Sequence, residues 1–253
     1  MIPELADLLK DSVLETLEER VSISFSGGID STLIASVAKN ASDVELYTVG
    51  MAGAKDVLCA DEVANMLKLP IEHIRVDEKD ILDTFDKCYQ LVPNNLLKVE
   101  LLVPVYKAAQ KASEQGQEII LFGAGAEELF VGYERYYHYL EEGKDLDKIL
   151  QEEFRTLDKR EIGWINKICR EFSIEARYPF HNRKLADFVF SIPLERRMEN
   201  RELKKSVLRE AATLMQVPPV SVKRKKQAMQ YGSGIHKVLM KHADELNKKY
   251  PGP

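Results

Sequence analysis

The chain has 253 residues, 45% of them hydrophobic and 30% charged, with a formal charge of −5. That length supports one large unit or two small lobes around a substantial core, and the acidic balance argues against nucleic acid or an anionic membrane as the main partner. No apolar run approaches the roughly 20 residues that span a bilayer, and the start Met1-Ile2-Pro3-Glu4 lacks a signal-type n-region and h-region, so the expected location is the cytoplasm.

Leu5, Leu8, Leu9, Leu14 and Leu17 recur at helical spacing and predict a helix over Glu4–Glu18. Val21, Ile23 and Phe25 then alternate with serines as in a strand, followed by Gly27 and Gly28 and a helix carrying Leu33, Ile34 and Val37. This is a phosphate cradle. Two glycines let an anion approach the backbone, Ser26 and Ser31 offer hydroxyl donors, and the helix start adds free N–H groups. Asp30 would repel a bare phosphate, so its presence fits a Mg²⁺ ion carried on the phosphates. The pattern Gly-x-x-x-x-Gly-Lys-Ser/Thr is absent, which argues against kinases and motor-type nucleotide hydrolases.

Strands are expected at Val44–Val49, Ile71–Val76 and Ile119–Phe122, the last a continuous apolar run suited to burial on both faces. Between them the pattern predicts helices over Asp56–Leu67, with Asp56 as N-cap, Ile81–Leu91 and Lys98–Ser113. Alternating strands and helices predict an α/β fold with a doubly wound parallel sheet, whose ligands bind beyond the carboxyl ends of the strands. The turns after Phe25, Val49 and Phe122 should therefore converge on one site. From about Tyr139 onward no strand is expected, and helices are predicted over Leu146–Phe154, Glu161–Phe172, Lys184–Phe190, Glu202–Met215 and Ile235–Lys248, with a loose tail from Lys248. This divides the chain into an α/β lobe, 1–140, and a helical lobe, 141–253, sharing a core and completing one site. Cys59, Cys88 and Cys169 form no disulfide or zinc pattern, and Cys59 and Cys88 read as small buried hydrophobes.

Four segments carry a resemblance. Ser26-Gly27-Gly28-Ile29-Asp30-Ser31 resembles the pyrophosphate-binding loop of the PP-loop ATP pyrophosphatases, which cleave ATP between the α and β phosphates. Gly123-Ala124-Gly125-Ala126-Glu127-Glu128-Leu129-Phe130-Val131-Gly132-Tyr133 resembles the second motif of the asparagine synthetase and β-lactam synthetase branch of those enzymes. Glu175-Ala176-Arg177-Tyr178-Pro179-Phe180 is similar to that branch's Glu-x-Arg-x-Pro-Phe segment, and Lys223-Arg224-Lys225-Lys226 with Tyr231-Gly232-Ser233-Gly234 is similar to its basic loop.

The resemblance implies an adenine nucleotide alpha-hydrolase-like fold, with ATP and Mg²⁺ as cofactors. Ser26, Gly27, Gly28, Ser31 and Gly123 would hold the phosphates, Asp30 and Glu127 the metal, and the backbone of Val49 and Gly50 the adenine. Lys226 matches the catalytic lysine that neutralises charge on the α-phosphate and departing pyrophosphate. Glu128, Glu175, Arg177 and His181 stand as substrate-contacting or structural residues. On the residues alone Glu128 has the alternative of a helix-dipole partner, Glu175 and Arg177 that of an ion pair, and His181 that of an ordinary histidine.

The implied activity is an AMP-forming amide synthetase that adenylates a carboxylate, most closely aspartate to asparagine, with ammonia or another amine as acceptor. Three departures qualify the match. Ala124 stands where the family has a glutamate expected to assist attack of ammonia, Glu127 replaces the metal aspartate, and His181-Asn182 replaces Leu-Asp. Glutamine-dependent members carry a nucleophilic cysteine directly after the initiator methionine; Ile2 stands there, so the expected amine source is free ammonia or a separate glutaminase. A homo-oligomer is left open. Two rivals also stand: a PP-loop enzyme modifying tRNA, and an ATP-binding regulatory or scaffold subunit without turnover, which Ala124 motivates.

Overall fold

The computed structural model describes residues 1–225 and 232–250. The first half runs α1 Ile2–Leu14, β1 Arg20–Ser24, α2 Ile29–Ala38, β2 Asp43–Gly50, α3 Lys55–Leu67, β3 Ile71–Arg75, α4 Glu78–Leu91, α5 Leu96–Val99, α6 Leu102–Glu114 and β4 Ile119–Leu121. Then follow α7 Ala126–Leu129, α8 Glu134–Glu141, α9 Leu146–Arg155, α10 Glu161–Arg170, β5 Glu175–Arg177, α11 Arg183–Ser191, α12 Leu194–Arg197, α13 Ser206–Leu214, α14 Pro219–Lys223, α15 Ile235–Lys241 and α16 Ala243–Lys249.

Among the described residues five strands form one sheet in the order β3-β2-β1-β4-β5, every pair parallel. The chain winds from β1 outward to β3, then crosses back to place β4 on the other side of β1. That reversal opens a crevice at the carboxyl ends of β1 and β4, the place where such sheets take ligands. Register sets Ile23 beside Leu121, so the loops leaving the two strands start level with each other. Between the strands the Ser22 hydroxyl donates to the Ile119 carbonyl at 2.5 Å.

Alternation along the strands feeds two cores, one per face. Val44 and Leu46 of β2 join Val21 and Ile23 in a core completed by α1, α2, α11 and α13. Tyr47 and Val49 face the other core, built with α4, α6, α10 and α15. Helices from the second half of the chain therefore cover both faces of the sheet.

The structure corrects several expectations. β5 is a strand where none was expected: three residues, Glu-Ala-Arg, pair with β4 at the sheet edge. A run that short and that polar shows no alternation to read. The helix over Lys98–Ser113 is two helices, and Pro104 sits in the first turn of α6, where its missing N–H breaks no helical bond. Helix α1 ends at Leu14, which is exposed. Asp56 is not the N-cap of α3, whose cap is Ala54; it is buried inside the first turn and paired with Arg224. The helix expected over Glu202–Met215 begins only at Ser206, because Lys204 and Lys205 are left-handed. That over Ile235–Lys248 breaks at His242. Residues 248–250 are docked and not loose: Lys249 Nζ meets Asp86 at 2.7 Å and the Tyr250 ring lies 4.3 Å from that of Tyr89. Cys88 and Cys169 are buried free thiols, and Cys59 is half-buried.

Leu208 of α13 is fully buried in the same core as Leu9 of α1. Leu208→Ala is expected to lower the unfolding free energy by about 2–5 kcal/mol. Fluorescence of Trp164 in α10, on the opposite face, should report that loss in the same transition as far-ultraviolet circular dichroism.

Candidate functional site

The loop after β1 is held by its own side chains. Gly28 N–H donates to Ser26 Oγ at 3.3 Å, Ser31 Oγ donates to the Gly28 carbonyl at 3.3 Å, and Ser26 N–H meets Ser31 Oγ at 3.4 Å. Gly27 has φ +66°, and a Cβ there would come within 2.9 Å of the Cys59 backbone, so α3 packs too closely for any other residue. Helix α2 then starts at Gly28 with no side-chain cap, leaving its first turn available to an anion.

A cavity of about 330 Å³ opens over this loop at the sheet's crevice. Of the residues singled out from sequence, Ser26, Gly28, Asp30, Ser31, Gly123 and Glu127 line it together. Gly27 supports from behind, its carbonyl accepting from Ser221 Oγ at 2.9 Å. Val49 and Gly50 are absent from the lining: Ser233 covers Gly50, and Met51 N–H donates to the Ser233 carbonyl at 2.9 Å. Glu175 and Arg177 form an ion pair at 2.7 Å away from the cavity, with Arg177 also donating to the Thr16 carbonyl at 3.0 Å. His181 lies against the Phe154 ring, 5.2 Å between centroids, and near Asp158, also outside the lining. Lys226 lies outside the described residues.

Sequence reasoning missed Lys205. Its side chain is fully buried, and its ammonium donates to both oxygens of Asp30, at 2.8 and 2.7 Å, and to Oε1 of Glu127 at 2.9 Å. Burial opposes the charge, but the two carboxylates outweigh it and raise the lysine pKa above its ordinary value. Lys204 and Lys205 are both left-handed, at φ 58° and 55°. This uncommon pair is locked by Arg209, which donates to the Lys204 carbonyl at 2.7 Å and the Leu203 carbonyl at 2.5 Å. Nothing in the pattern around Lys204-Lys205 separates it from an ordinary solvated helix face.

The carboxylate side is equally constrained. Val131, buried and β-branched, has φ 54°, and at Gly132 a Cβ would lie 1.7 Å from Glu127 Oε2. Only glycine leaves room for the Glu127 side chain to reach the Lys205 ammonium. Asp56, the misread cap, receives Arg224, which also donates to the Ser26 carbonyl at 3.0 Å and so ties the basic segment to the cradle. Arg224, Lys225 and Arg209 line the cavity as well. Burial raises the Asp56 pKa, and Arg224 opposes that shift.

On the far side Leu102, Val105, Ile165 and Trp164 give the cavity an apolar wall, interrupted by Tyr133, Arg135 and Glu161. Burial, with Glu161, Glu127 and Glu128 nearby, keeps the Tyr133 hydroxyl protonated. Glu128 turns away into the interior, where burial first and the charge of Glu161 second push its pKa up to about 8. Ala124 lines the cavity with a methyl group.

Asp30 and Glu127 bring hard oxygens from the first turns of α2 and α7 to one cation position, held here by the lysine. Two carboxylates, with further oxygens from phosphate and water, is the usual ligand supply for Mg²⁺, so these residues fit that ion. Glycine-flanked amides, a helix start and a cluster of cations can hold a polyphosphate beside it.

The asparagine synthase family profile matches residues 4–166 and 139–250. A Methanocaldococcus jannaschii protein assigned as a glutamine-hydrolysing asparagine synthetase is 30% identical over 96% of this chain and 50% of its own length. The glutamine-hydrolysing asparagine synthetase B of Escherichia coli is 27% identical over 88% of this chain and 44% of its own. The chain thus spans half or less of the length of these relatives. An ammonia-dependent NAD synthetase structure from Campylobacter jejuni aligns with 15% identity and a TM-score of 0.47, covering 100% of this chain and 87% of that one.

Gly132→Ala should displace Glu127, lowering unfolding stability by about 1–3 kcal/mol and weakening Mg-ATP binding in calorimetry. Glu128 releases its proton near 4.5 when unfolded and near 8 when folded, so between those values the native state binds more protons and stability falls as pH rises. Glu128→Gln should flatten that slope in urea unfolding without divalent ions, gaining on the order of a few kcal/mol over the parent at pH 8.

Proposed function

We propose that this chain, which belongs to the asparagine synthase family, adenylates a carboxylate with ATP and passes the acyl group to ammonia or another amine. The observation that carries this reading is the convergence of the β1 cradle and the β4 glycine–carboxylate turn on one cavity rich in cations. The cradle amides, Ser26 and Ser31 bind the phosphates, with Arg224 and Lys225 on the same side. Asp30 and Glu127 would hold Mg²⁺, which supplies positive charge to the phosphates when bound. The carboxylate substrate attacks the α-phosphorus and pyrophosphate departs, with Lys226 neutralising charge that grows at the pentacoordinate stage. The apolar wall around Trp164 excludes water from the acyl-adenylate, and an amine entering there releases AMP.

Aspartate is the first carboxylate to test, and ammonia, free or from a separate glutaminase, the first amine. The reading places the enzyme in the cytoplasm; among the described residues no helix is long and apolar enough to cross a membrane. A thiolating role on tRNA is disfavoured by Cys59: it sits beside the cradle, 3.6 Å from the Gly27 carbonyl, but burial raises its thiol pKa and so depletes the nucleophilic thiolate.

Pyrophosphate release from Mg-ATP with aspartate and ammonium, each omitted in turn, tests the reaction by mass spectrometry of the products. Asparagine and AMP appearing together support it; ATP bound without release under any carboxylate and amine would support a non-catalytic subunit instead. Lys226→Ala should slow release by roughly a hundredfold or more while ATP binding stays within a few-fold, and equal loss of both would assign the lysine to ground-state binding.

A further inference from the structure

We infer that Lys205 is the resident cation of the Asp30–Glu127 pair, and that the protein takes up a divalent ion in step with a polyphosphate and not before it. The inference rests on the reading that these two carboxylates hold the metal. All three ammonium protons are used, on three of the four carboxylate oxygens, at 2.7 to 2.9 Å. A divalent ion bound to the same oxygens would sit at roughly 2.0–2.1 Å from them, against the like charge of a lysine side chain that is itself fully buried.

Lys205 cannot simply swing into solvent. Its backbone is fixed in a left-handed pair by Arg209, and Gly132 packs against its stem, so close that a Cβ there would stand 2.6 Å from Cε. A second anion within reach resolves the conflict. Asp30 lies in the first turn of α2, two residues beyond Gly28, so phosphates on the cradle amides arrive beside the ammonium and offer it new acceptors. Metal and nucleotide then favour each other by more than their affinity in free solution, and the coupling is reciprocal.

Binding of Mn²⁺, followed by the paramagnetic resonance of the free ion, tests this on the intact chain. Wild type and Lys205→Met are each titrated alone and with α,β-methylene ATP, which cannot be cleaved at the α–β bond, after correction for chelation by the analogue. Wild type alone should bind Mn²⁺ at least about tenfold more weakly than Lys205→Met, and the analogue should close most of that gap. Equal Mn²⁺ affinity of the two proteins without the analogue overturns the inference and leaves the metal reading intact. No Mn²⁺ binding in any arm overturns both. If Lys205→Met does not fold, Lys205→Gln takes its place, and the wild-type arms still decide: Mn²⁺ bound as tightly without the analogue as with it overturns the inference.

Discussion

One buried ammonium group holds the site together. Lys205 draws a carboxylate from the first turn of α2, after β1, and another from α7, after β4, onto a single point, bridging the two strands at the reversal in the sheet. Two half-buried carboxylates forced so near each other would otherwise repel strongly, or one would take up a proton. Much of the surrounding geometry serves this contact. The left-handed turn at Lys204-Lys205, the Arg209 bonds that fix it, the strained Val131 and the small Gly132 all determine whether three side chains meet.

Such strain persists because the two cores over-determine it. Helix α13, which begins directly after Lys205, is anchored by Val207, Leu208, Ala211 and Ala212 in the core beneath α1 and α2. Packing energy from a large apolar surface thus fixes the position of one charged group. Arg224 does a similar task on the other flank, joining Asp56 to the cradle carbonyl of Ser26.

The sheet and the cradle were legible because their signals are local. Val21, Ile23 and Phe25 alternate over a few residues, and the glycines that turn the chain stand next to the residues they position. The Gly123–Gly125 turn with Glu127 was legible for the same reason. What escaped depends on distance along the chain or on backbone state. Lys205 meets Asp30 across 175 positions, and Asp56 meets Arg224 across 168, so neither pairing leaves a spacing to read. β5 has three residues and takes its extended form from the edge of β4, and Lys204 and Lys205 are held left-handed by tertiary bonds that no propensity encodes. Ser233, covering Gly50 at the end of β2, belongs with these long-range contacts.

The late position of β5 and Lys205 bears on how the chain is made. Synthesis from the amino end delivers four strands and both carboxylates before the last strand and the lysine leave the ribosome. During that interval β4 presents an unpaired edge, and Asp30 and Glu127 have no lysine to bring them together. The nascent sheet is open to wrong partners, and the pocket has no fixed shape until the second half docks. Competence to bind therefore arrives as one of the final events of folding, so an interrupted chain ending before residue 205 would carry the recognisable loop and lack the cation that organises it.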